Sequence, residues 1–211
     1  MYLAGGVPEV MLYLRELGVI HGEARTILNR TWNEILDEWE ASERRRSLRK
    51  FLQRGYGVDP DQVIMPPAKA KAAGLTSTVV FPLGNLCPEG SVIKATSIDP
   101  SVVDQNGVFR HRGTVKFFTS EKAAIAAIKG RGNKQLEPGD ILVLAGCGPL
   151  GTGLKETYQL TSTLKYVSRG KQVTILTDAR FSGGGSIGAC IGHIGPEALA
   201  GGPLGKLRDG D

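Results

Sequence analysis

The chain has 211 residues, 41% of them hydrophobic, which is enough to fill a globular core, and its formal net charge of +5 does not by itself indicate a nucleic-acid partner. No apolar run approaches the roughly 18 residues of a membrane helix, and the amino terminus lacks a basic region followed by an apolar stretch, so a cytoplasmic protein with no membrane partner is expected. Three cysteines, Cys87, Cys147 and Cys190, form no CxxC pair, which argues against a zinc ribbon or a dense disulfide framework and in favour of small buried thiols.

In chain order, residues 7–18 place Val7, Val10, Met11, Leu14 and Leu17 on one stripe, with Pro8 near the start and Gly18 at the stop, and predict an amphipathic helix. A second helical pattern starts near Thr31, carries the Trp32, Ile35, Leu36 and Trp39 stripe, and runs into the basic segment Arg44 to Arg54. That basic run is expected to be a solvated helix face or a connector rather than a phosphate-binding patch. Residues 1–55 therefore form a helical part. Residues 56–78, with Pro66-Pro67 and scattered Gly and Ala, are expected to be a linker.

Residues 79–211 change in character. Short β-like runs at 79–81, 91–95, 114–118, 141–145 and 172–177 alternate with predicted helices at 120–129 and 153–167, the pattern of an α/β domain. Many of the chain's 29 glycines fall after residue 130, where they imply tight turns and loops that carry chemistry. The final residues, Lys206 to Asp211, have the composition of a turn between two strands, so a further strand is expected beyond them and the domain is expected to be incomplete.

Two loops stand out. Gly146-Cys147-Gly148-Pro149-Leu150-Gly151 follows an apolar strand and matches GxGxxG; with Asp178 at the end of the next strand it allows a dinucleotide-binding reading, the acid holding a ribose. The second loop, Thr177 to Gly188, sets an acid, a base and a hydroxyl beyond a strand end. Its Ser182 stands on glycine-rich backbone that a metal or substrate can approach closely. A third reading is a non-catalytic assembly module whose basic helix at 44–54 meets an acidic partner.

The wording of these segments carries a resemblance. TDARFSGG at 177–184, GACIGHIGPEALAGGPLGKLRDGD at 188–211 and GNLCPEGSVIK at 84–94 resemble the dihydroxy-acid/phosphogluconate dehydratase family, and GCGPLGTGLKETYQLTS at 146–162 is most like its pentonate (xylonate) subgroup. AGGVPEVM at 4–11 is similar to the last helices of the family's amino-terminal domain. The resemblance implies a carboxy-terminal, swivelling, β-barrel-like α/β domain preceded by a helical remnant of the cluster-binding domain.

It also implies a dehydratase that converts a 2,3-dihydroxy carboxylate such as an aldonate to a 2-keto-3-deoxy acid, working as a homo-oligomer with an iron–sulfur cluster and Mg2+. Ser182 matches the family's catalytic serine and Glu156 its magnesium-binding glutamate. Asp178 is expected to orient the serine loop and Arg180 to neutralise the substrate carboxylate. The cluster-cysteine motifs are not found here, so cluster ligands are expected in the amino-terminal domain and this chain alone is expected to be inactive. His193 reads as a buried, hydrogen-bonded histidine in preference to a proton donor.

Overall fold

The structure is a computed structural model that describes residues 1–75, 78–181 and 188–211. The chain divides into two compact units, Met1–Thr76 and Ser77–Asp211.

The first unit is helical: α1 (Gly6–Glu16), α2 (Trp32–Ala41), α3 (Glu43–Tyr56) and two short helices, α4 (Pro60–Val63) and α5 (Pro67–Ala72). The expected linker thus contains ordered turns; Asp59 caps α4, and Pro60 occupies its first position, where a missing N–H costs nothing. The helical pattern that began at Thr31 is two helices. Thr31 and Glu34 form a reciprocal capping box on α2, and Ser42 then breaks the run in extended conformation, its hydroxyl accepting the Arg45 amide at the start of α3.

Ala4, Leu12, Leu36 and Ile64 are buried in this unit, and so is a charge, Glu9, at 0% exposure. Arg45 donates to both Glu9 oxygens at 2.7 Å, and Arg49, Trp39 and Tyr13 donate at 3.2 Å. The basic run is therefore not simply a solvated face. Two of its arginines point inward and neutralise a carboxylate that could not be buried alone.

The second unit is α/β, as expected. Strands β1 (Gly90–Ile93), β2 (Val115–Phe118), β3 (Ile141–Leu144), β4 (Thr174–Thr177) and β5 (Cys190–Gly195) form one sheet in the order β1-β5-β4-β3-β2. Strands β2 to β5 run parallel, and β1 joins β5 antiparallel. β1 and β2 are the edges of this sheet, and no pairing among the described residues closes it into a barrel. The chain's last residues lie along β2: the Val115 amide donates to the Asp211 carbonyl and the Phe117 amide to the Asp209 carboxylate.

Helices α6 (Glu121–Ile128) and α8 (Tyr158–Lys165) pack on each other beside one face of the sheet. There Leu142, Leu144 and Ile175 meet Ala124, Ile128, Leu160 and Leu164. Val143, Ala145 and Ile194 point the other way, against Leu204. β3 is buried on both sides, which is why it reads as the unbroken run ILVL.

Two details differ from expectation. The segment 79–81 is only a bridge, Val80 to Ile93, and the single helix expected over 153–167 is a short turn α7 (Pro149–Thr152), a break, and then α8. Gly153 and Leu154 both have positive φ there, which ends one helix before the other can begin.

Candidate active site

Because β3, β4 and β5 are parallel, the loops that follow them emerge at one end of the sheet, the usual place for a ligand in open α/β folds. One side chain joins the three. Asp178, 1% exposed at the end of β4, accepts the amides of Gly146 and Cys147 from the loop after β3 and of Ala198 from the segment after β5, at 3.0, 2.9 and 3.0 Å. A buried carboxylate needs such donors, and each charge-assisted bond fixes a loop that would otherwise be free.

Glu197, 8% exposed, sits beyond β5 and accepts the Leu150 amide at 2.7 Å. A Cβ built on Gly148 would lie 1.8 Å from Glu197 Oε2, and one on Gly151 would lie 2.1 Å from the Gly146 carbonyl. The glycines of the 146–151 loop are thus required by internal close approach. The amides of Gly146, Cys147 and Leu150 already hold carboxylates of the protein itself, and the Asp178 carboxylate already accepts three backbone amides. Dinucleotide binding by Gly146, Gly148, Gly151 and Asp178 would require these internal hydrogen bonds to be given up.

Glu156 was expected in the first turn of a helix and instead precedes α8 on an exposed stretch. That stretch runs parallel to the residues after Asp178. Thr157 donates its amide and its hydroxyl to the Arg180 carbonyl at 2.9 and 3.1 Å, the Arg180 amide donates to the Lys155 carbonyl at 3.1 Å, and Glu156 bridges Arg180. Lys155 is also paired with Glu121 at 2.5 Å, and that partner keeps its ammonium pKa above the ordinary value. The backbone carrying Glu156 is therefore held on both sides.

Arg180 is exposed, donates Nε to the Leu154 carbonyl at 3.0 Å, and makes no ion pair with a described residue. Phe181 lies over Gly192 of β5, where a Cβ would come within 2.4 Å of the ring. Ser182, the expected base, lies outside the described residues.

His193 is not buried. It is exposed on β5, with φ of 52° and its amide donating 2.8 Å to the Ala179 carbonyl instead of to β1. Partial enclosure, and then the charge of Arg180, hold its pKa below the ordinary imidazole value. Glu197 was not foreseen; an acid just past the end of a strand, in IGPEA, was the available signal.

Glu156 suits magnesium as one hard oxygen ligand, since that ion binds through one or two carboxylates and keeps several waters. No group of three or more His, Cys, Asp or Glu residues able to hold a metal occurs among the described residues. Cys147 and Cys190 are buried with thiol pKa values pushed up, chiefly by burial, which opposes the thiolate that a cluster needs. Cys87 is half-buried, with its thiol 3.7 Å from the Pro82 carbonyl.

Residues 62–211 match the family model described as dihydroxy-acid/6-phosphogluconate dehydratase, C-terminal. Over 210 residues, 100% of the chain, the sequence is 61% identical to D-xylonate dehydratase YagF of Escherichia coli strain K12 and 57% identical to D-xylonate dehydratase YjhG of the same organism, covering 32% of each. It is 34% identical to a dihydroxy-acid dehydratase of Aquifex aeolicus strain VF5, over 98% of the chain and 32% of that protein. The chain spans about a third of the length of the curated relatives it matches.

Proposed function

The chain belongs to the dihydroxy-acid/6-phosphogluconate dehydratase family, and from that premise we propose that it supplies one part of a hydro-lyase that dehydrates a sugar acid, a pentonate such as D-xylonate, to its 2-keto-3-deoxy acid. Ser182 takes the proton from C2, a hydroxyl leaves C3, and the resulting enol becomes the keto acid. Arg180, free of any described acidic partner, pairs with the substrate carboxylate. Glu156 would be one ligand of a magnesium ion, which when bound would supply positive charge near the substrate's carboxylate end and near the Ser182 hydroxyl. The iron–sulfur cluster implied by the family is assigned to residues outside this chain, because Cys147 and Cys190 are buried with raised thiol pKa values and no group of three or more metal-ligating residues occurs among the described residues.

The observation that supports this reading best is the parallel backbone pairing of residues 154–157 with residue 180. It holds Glu156 beside Arg180, which precedes Ser182 by two positions in sequence, and so supports assigning Glu156 and Ser182 to one site. The dinucleotide and assembly-module readings have no comparable support.

The test is to exchange this chain for the corresponding third of E. coli YagF and to assay 2-keto acid formation from D-xylonate. The chimera is expected to turn over, and Ser182→Ala to lower kcat by about a hundredfold to ten-thousandfold, the usual worth of a positioned base. Undiminished turnover by that variant would remove the serine from the chemistry.

A further inference from the structure

His193 occupies an irregularity that re-aims a side chain. Between the pairs Gly90–Gly195 and Val92–Gly192, β1 advances two residues while β5 advances three, so β5 bulges at His193 and Ile194. Bulges of this kind turn a residue out of the ladder and favour the edges of sites. The positive φ of His193 belongs to the same distortion, and the Ala179 carbonyl receives the amide that β1 does not.

The imidazole is turned toward a cleft of about 400 Å3, within the range of small-ligand pockets of roughly 300–1,000 Å3. Leu150, Leu154 and Ile194 give it a largely apolar floor, and Glu89, Asp178, His193 and Glu197 set polar groups into it. Its polar groups are two carboxylates in addition to the committed Asp178, and an imidazole kept largely neutral. Glu197 Oε2 is buried with no hydrogen-bond partner, an acceptor lacking its donor. Glu89 is exposed and fixed beside the strand by its backbone N–H, which donates to the Gly195 carbonyl at 3.1 Å. These few polar groups repel the carboxylate of a sugar acid and suit its hydroxyls, which donate to carboxylates and exchange hydrogen bonds with a neutral imidazole, while the apolar floor takes the C–H faces of the chain.

We propose that this cleft is the subsite for the hydroxylated end of the substrate, with His193 and Glu89 as its hydroxyl-binding groups. The inference rests on the sugar-acid reading for the identity of the ligand, but the cleft's preference for polyols is testable without turnover. The acid end of the molecule lies toward Arg180 and the hydroxyl tail toward the bulge, so the site distinguishes substrates by what lies beyond C3.

The experiment titrates the isotope-labelled chain with xylitol, which has the hydroxyls and no carboxylate, with D-xylonate, and with a simple monocarboxylate as control. Xylitol and xylonate are expected to shift the signals of Glu89, Leu150 and His193 at millimolar concentration; His193→Ala is expected to weaken both roughly fivefold, about the worth of one hydrogen bond. The control acid is expected to leave those signals in place. In the YagF chimera, His193→Ala is expected to raise KM for D-xylonate several-fold with kcat retained.

Shifts confined to other regions, or equal xylitol binding by His193→Ala and by Glu89→Gln, would overturn the subsite. So would a loss confined to kcat. Xylitol binding in the cleft with no dehydration by the chimera would instead overturn the proposed reaction and leave the polyol site standing.

Discussion

A single missing methyl group governs the geometry at Gly148. The site of its Cβ lies 1.8 Å from a carboxylate oxygen of Glu197 that is itself buried, so no small shift of a flexible side-chain end relieves the collision. Gly148→Ala is expected to destabilise the chain by about 2–4 kcal/mol, read as a lower Tm, while an alanine at exposed Gly130 changes little beyond the strain of its φ of 68°. The sequence displayed the glycine spacing but not its reason: GxGxxG permits either a phosphate or an internal acid, and the acid here comes 47 positions after Leu150, whose amide it accepts. His193 was misread for a similar cause. Its exposure follows from a bulge, and a bulge depends on the pairing of two strands, which no local pattern displays.

Among the elements, those with one-sided or fully apolar patterns were legible. β3 announces itself as ILVL, and α6 shows Ser120 followed by Glu121 at its start and a small-residue face. β5 did not, because Gly192 and Gly195 interrupt the alternation even though its burial still alternates. The inward face of α3 was also illegible: Arg45 and Arg49 meet an acid 36 and 40 positions away. That partnership has a pH consequence. Burial alone would raise the pKa of Glu9, but the hydrogen bonds and charge of Arg45, then the Trp39 N–H and the charge of Arg49, hold it below its ordinary 4.5. The unfolded chain thus binds this proton more readily, so the contribution is present above pH 4.5 and is lost as pH falls through the lower folded value. Glu9→Gln is expected to cost about 3 kcal/mol near neutral pH, the lower end for a broken buried ion pair since both arginines retain some solvent contact, and to flatten the acid limb of a thermal-unfolding pH series.

At the scale of the molecule, 211 residues match about a third of each relative, and the described carboxylates and thiols provide neither a complete metal centre nor ligands for a cluster. The chain by itself is expected to release no 2-keto acid from D-xylonate in a direct assay, and activity is expected when it is joined to the remaining two-thirds of YagF. Turnover by the chain alone would contradict this division of labour. The α/β character and the loops at one end of the sheet were readable from strand–helix alternation; the joining of those loops through Asp178 was not. The carboxylates that fill the 146–151 loop have one more consequence. A nucleotide or sugar phosphate arriving from solution must displace an anion tethered to the same polypeptide, a rival that never diffuses away and whose effective concentration a dilute metabolite does not match.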